Sequence, residues 1–202
     1  MGRSDPRLAY LIRRALDSGA TRAKIIPARE IVVDERVRLK CAVPRCSCYA
    51  THLLCPPNLI SVDEFRLILS KYKVGIIVQV ESALDSSDKS RRPLTGNLCE
   101  RVENTTASRT WQLKLHRIVN SIETEAFKRG YYLAAGFIGG ECALCTKCIS
   151  PRSGKPCRRP FEARPSMEAM GIDVIRTCSK VGMPISLSSR KKVRWTGLVL
   201  LD

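Results

Sequence analysis

The sequence predicts an α/β fold, a small, partly parallel sheet flanked by helices, with two cysteine-rich loops. Two observations predict it. Segments with apolar residues at helical spacing alternate with short strand-like runs over the 202 residues. Eight of the ten cysteines form two groups, each following a strand-like run, where α/β folds commonly place their sites. A chain of this length builds one sizeable core, so the expectation is a single domain over 1–202.

Leu8, Leu11, Ile12, Ala15 and Leu16 repeat at helical spacing and Gly19 offers a stop, which predicts an amphipathic helix over about 6–18. Glu30 to Val33 reads as a short strand, continuing through Val37 and Leu39. Ser61-Val62-Asp63-Glu64 is a capping box opening a helix over about 62–72. Val74 to Val80 is a continuous apolar run suited to a buried sheet position. The polar stretch from Ser82 to Leu98 is long enough to be a functional loop. Trp111, Leu115, Ile118, Ile122 and Ala126 mark one face of a long helix over about 105–129, stopped by Gly130. Tyr131 to Ile138 reads as a strand, Ser166 to Val181 as a helix broken at Gly171, and Thr196 to Leu201 as a last strand.

Bulk properties narrow the class. The opening segment lacks an apolar core and a small-residue cleavage site, and Pro6 stands where a myristoylation signal needs Ser or Thr. No apolar run approaches the roughly 18–20 residues a membrane span requires. A soluble, cytoplasmic protein with no membrane partner is therefore expected. In a reducing compartment, clustered thiols mean metal or redox chemistry rather than disulfides. The net charge is +16, and Cys142 to Arg194 holds twelve Lys or Arg against three acids. Such a surface suits an acidic redox partner protein or, as an alternative, nucleic acid.

The later group, Cys142, Cys145, Cys148 and Cys157, opens with C-x2-C-x2-C in the loop 139–160. That spacing wraps three corners of a [4Fe–4S] cube and leaves the fourth to a remote cysteine. Structural zinc sites instead use two separated pairs, so zinc is the alternative cofactor. Gly139 and Gly140 would let backbone N–H groups approach cluster sulfurs, or simply turn the chain. The earlier group, Cys41, Cys46, Cys48 and Cys55 in the loop 41–58, is less regular but dense enough for a second metal site. His52 is either a substitute ligand or a packing residue. Cys55-Pro56 resembles the Cys-Pro of two-cluster ferredoxins, so Cys55 and Cys157 are candidates for exchange between sites. Cys99 and Cys178 stand outside both groups; Cys178 reads as a small buried hydrophobe.

Taken together, KCAVPRC and LLCPPN (Lys40 to Asn58) with ECALCTKC and GKPCRRPFEARPSMEAMGIDV (Glu141 to Val174) resemble the DUF2284 family of predicted metal-binding proteins. The resemblance implies cysteine-ligated metal, most naturally iron–sulfur, with no assigned reaction. The family commonly has Tyr-Gly where this chain has Tyr49-Ala50, and Cys48 is an addition to its usual three cysteines.

Around the later group, Arg158, Arg159 and Arg164 are candidates for binding an anion or a partner. Glu168 is a candidate proton carrier, or a first-turn acid of a helix capped by Ser166. No Ser-His-Asp set, phosphate loop or dinucleotide fingerprint is present, so any chemistry must come from metal. The leading expectation is an iron–sulfur protein with two [4Fe–4S]-type sites, acting in electron transfer or as a redox accessory. Its alternatives are an enzyme with an open iron, and a zinc-stabilised nucleic-acid module using Arg190 to Arg194 with Trp195 stacking on a base.

Overall fold

A computed structural model describes residues 5–83, 106–185 and 192–202. Five α-helices are found there: α1 Pro6–Asp17, α2 Glu35–Ala42, α3 Val62–Leu69, α4 Thr106–Lys128 and α5 Val174–Lys180. They surround a four-stranded sheet of β1 Arg22–Pro27, β2 Val74–Ala83, β3 Ala135–Phe137 and β4 Lys192–Leu201, in the order β1-β2-β4-β3.

All three strand pairs are antiparallel, which corrects the expectation of a partly parallel sheet. The continuous apolar run of β2 arises because the strand is central and covered on both faces, a condition antiparallel strands meet as well as parallel ones. Along it, Ile76, Val78 and Val80 face a core built from Leu11 and Ala15 of α1 and Leu115, Ile118, Val119 and Ile122 of α4. Ile77 faces the other way, into a second core with Phe65 of α3, Met167, Ile172 and Cys178. The register pairs Val78 with Gly197 and Val80 with Trp195. Trp195 is only 7% exposed within the first core, so it is a strand residue and not a stacking platform.

The capping box forms as read. Ser61 Oγ accepts the Glu64 N–H at 3.1 Å, and Glu64 accepts the Ser61 N–H at 2.7 Å. A second correction concerns residues 22–42. The expected strand over 30–39 is absent; Asp34 caps α2 by accepting the Arg36 N–H at 2.9 Å, and the chain turns helical. Of the Ile-Val-Val run, only Val33 makes a ladder contact, an isolated bridge to Ile172. The strand lies earlier, in Arg22–Pro27, at the sheet edge. Its alternation is hidden by Arg22 and Lys24, whose polar ends reach Gly182 O and Val181 O.

The strand expected over 131–138 shortens to Ala135–Phe137. Beyond it, an isolated parallel bridge joins Ile138 to Ser166, with Met167 N–H on Ile138 O at 2.8 Å. The helix expected over 166–181 divides into a 3-10 turn, Glu168–Met170, and α5. Gly171 separates them at φ 83°, where a Cβ would also strike Val62. The loop Ser82 to Leu98, apart from Ser82 and Ala83 at the end of β2, and Cys99 lie outside the described residues.

Candidate metal centre

The earlier group starts inside α2, at Cys41, and does not follow a strand as expected. After the helix the chain runs through successive turns: Tyr49 N–H to Cys46 O, His52 N–H to Cys48 O, Cys55 N–H to His52 O and Asn58 N–H to Cys55 O. Asn58 Nδ2 also donates to His52 O at 3.0 Å, and Arg38 closes the base of the loop by donating to Ile60 O at 2.6 Å. Thiols at 46, 48 and 55 are thus held by backbone turns. Cys48 and Cys55 are buried; Cys41 and Cys46 are half-buried. Burial, with Cys46 and Glu168 nearby, pushes the Cys41 thiol up.

The later group follows β3, as expected. Gly139 lies flat against β4, where a Cβ would come within 2.7 Å of Thr196 O, so this glycine serves close backbone packing. The loop then has only one regular turn, Pro151–Ser153, before Pro160. Burial pushes Cys142 up to about 11, with Cys157, Cys148 and Cys145 adding to the effect, while the Leu144 N–H on its sulfur opposes it. Arg159 N–H reaches Cys157 Sγ at 3.3 Å. Amide N–H groups on sulfur are a usual second layer of metal–thiolate sites. Four cysteines on one loop are a donor set of the kind an all-cysteine metal group takes.

The two loops meet. The Cys48 thiol donates to the Glu141 carboxylate across the seam, and the Cys55 side chain, burial and Glu141 together push that thiol's pKa up. Beside this contact lies a cavity of about 720 Å³, walled by Cys46, Tyr49 and His52 on one side and Lys147, Cys148 and Arg152 on the other. Glu168 is half-buried near Cys41 and the Gly140 N–H, with its carboxyl raised by desolvation and its Oε2 buried and unpartnered. Ser166 Oγ accepts the Ala169 N–H at 3.0 Å, but what it starts is a 3-10 turn with Met167 at its N-cap and not the helix expected.

The three arginines all have protein partners. Arg164 grips Glu123 at 2.6 and 3.0 Å, Arg158 donates to Lys147 O at 2.9 Å, and Arg159 pairs with Glu162 at 3.3 Å. Cys178 is fully buried in the second core, as expected of a small hydrophobe.

A family model described as a predicted metal-binding protein, DUF2284, matches residues 24–201. The chain belongs to the DUF2284 family. No curated protein and no solved structure matches it. In this DUF2284 member both cysteine loops lie inside the matched span.

Ala50 stands where the resemblance noted above expects a glycine. Ala50 has φ 61°, in the left-handed region that favours glycine, and its N–H is tied to Pro56 O at 2.8 Å. Ala50→Gly is expected to stabilise the fold by about 1 kcal/mol by relieving the Cβ. Urea unfolding measures this; no gain would place the cost elsewhere.

Reading by residue type missed Glu141. Its carboxylate, the Cys48 sulfur and a His52 ring nitrogen lie within 4.8 Å of one another. Glu141 stands next to Cys142 inside the quoted motif, but only the fold shows that it faces the other loop.

Proposed function

We propose that this protein carries a [4Fe–4S] cluster on Cys142, Cys145, Cys148 and Cys157, a second metal site on the loop 41–58, and works in electron transfer or as a redox accessory. The observation that carries this reading is the C-x2-C-x2-C spacing on one irregular loop, with Cys157 following on the same loop. Structural zinc sites usually take two separated cysteine pairs, whereas three thiols at i, i+3 and i+6 with a fourth a short loop later are the ferredoxin-type arrangement.

When bound, such a cluster supplies one-electron transfer. The chain's own part is to hold the thiols, to place the Leu144 and Arg159 N–H groups on sulfur, and to present a basic surface to an acidic partner. Hydrogen bonds to sulfur favour the reduced, more negative state and so raise the potential. Support for a nucleic-acid role is thin: Trp195 is in the core and Arg194 pairs with Glu81 at 2.8 Å.

Anaerobic purification followed by iron, sulfide and zinc analysis tests the reading. Roughly four irons with matching sulfide for each cluster are expected. Stoichiometric zinc at the four-thiol loop, with no sulfide, would overturn it.

A further inference from the structure

We propose that Cys48, His52 and Glu141 hold one divalent ion of the zinc class at the seam between the loops, separate from the four-thiol site. The proposal goes beyond the iron–sulfur reading and needs from it only that Cys142 and its three companions serve elsewhere.

Three observations carry it. The donor atoms of the three residues lie within 4.8 Å of one another, although Glu141 is 93 residues from Cys48. One sulfur, one imidazole nitrogen and one carboxylate oxygen form a borderline donor set of the kind zinc accepts, and unlike the all-thiolate set of a common cluster. Second, His52 Nδ1 is buried without a hydrogen-bond partner. An unmet buried polar atom is costly, and coordination, or a proton fixed by coordination through the other nitrogen, would offset that cost.

Third, the charges suit a dication. Cys48 is 8% exposed, and its thiol donates to Glu141. A metal ion takes the place of that proton, and thiolate and carboxylate together neutralise its two charges. The displaced proton leaves to solvent, so binding strengthens as pH rises. Neutrality matters because an unbalanced charge at a buried seam is costly.

Three protein ligands leave one position of a tetrahedral ion open, the pattern of catalytic rather than structural zinc. His52 lines the 720 Å³ cavity, so a water or small anion has room beside the ion, with Lys147 and Arg152 on the facing wall. The assignment also gives Cys48 a task of its own, and leaves Cys41, Cys46 and Cys55 as the remaining thiols of the earlier loop.

The test is a Co²⁺ titration of the full chain, after anaerobic reconstitution with iron and sulfide, read by visible absorption and by metal analysis. Expected is one equivalent of Co²⁺ with tetrahedral bands and a thiolate charge-transfer band. Cys48→Ser should abolish that band and leave iron and sulfide at the wild-type level. Glu141→Gln and His52→Asn should each weaken binding at least tenfold. Glutamine nearly fills the glutamate's volume, so Glu141→Gln carries the test if the serine variant fails to fold. An unchanged Co²⁺ spectrum in the variants would overturn the site, as would joint loss of iron and sulfide in Cys48→Ser, which would place Cys48 in a cluster. A wild-type chain with no iron or sulfide defeats the iron–sulfur reading alone. The loss of one Co²⁺ equivalent between wild type and Glu141→Gln would still be read.

Discussion

Cys145→Ser is expected to strip the iron–sulfur group from the later loop. Cys145 is the middle of three thiols at i, i+3 and i+6, so its loss opens the short wrap that holds three corners at once. The consequence should extend beyond chemistry. Between Gly139 and Pro160 the chain has a single 3-10 turn and few apolar anchors, Ala143 being a buried one. Binding energy at such a loop is folding energy. The variant should lose the cluster's iron and sulfide and become far more sensitive to limited proteolysis near Arg152 and Lys155. Cys178→Ala is the control. Cys178 is fully buried in α5 and accepts a weak hydrogen bond from Gln79 at 3.9 Å, so its removal should cost about 1–2 kcal/mol and no metal. Wild-type iron in Cys145→Ser would sink the assignment.

The parts legible in the sequence were those whose signal is local. The capping box at Ser61, the apolar stripe of α4 and the continuous run of β2 each report the environment of their own residues. Strand direction is not such a signal. A central strand covered on both faces reads the same whichever way its neighbours run, and here the last strand returns between β2 and β3. The Ile-Val-Val run misled for a related reason. Ile31 is buried in the second core, while Asp34 is free to cap a helix three residues on. Propensity for a strand lost to a strong cap and to tertiary burial.

At the site, spacing revealed the thiols but not what faces them. Glu141 reaches Cys48 only because the Ile138–Ser166 bridge and Gly139, lying against β4, set the later loop against the earlier one. Arg164 illustrates the reverse error. In sequence it is one more cation beside a thiol-rich loop; in space it is committed to Glu123 of α4 and to the carbonyls of Phe161 and Ala163. Charge counted along a chain says how much is present, not how much is free.

The same α4 face sets the second large effect, a loss of stability in mild acid. Gln112, His116 and Asn120 follow one another at four-residue spacing, and Asn120 Nδ2 meets Glu162 O at 2.9 Å. His116 is 1% exposed, and neither ring nitrogen has a hydrogen-bond partner. Burial, aided by the positive charge of Arg164 and opposed by the backbone and carboxylate of nearby Glu162, lowers its pKa from 6.5 to about 4. The folded state thus resists a proton that the unfolded chain accepts, so the unfolded chain binds more protons between these values and stability rises with pH. The contribution is present above pH 6.5 and is lost as pH falls through about 4, by up to roughly 3 kcal/mol at 1.36 kcal/mol per unit. His116→Leu should be at least as stable near neutrality, because it removes two unmet polar atoms from the core. It should also flatten this part of the profile. Metal ligands titrate too, but equally in both proteins, so the measurement is the difference between wild-type and variant urea-unfolding free energies from about pH 7 to 4. Parallel curves would mean that His116 is protonated in the fold as readily as outside it.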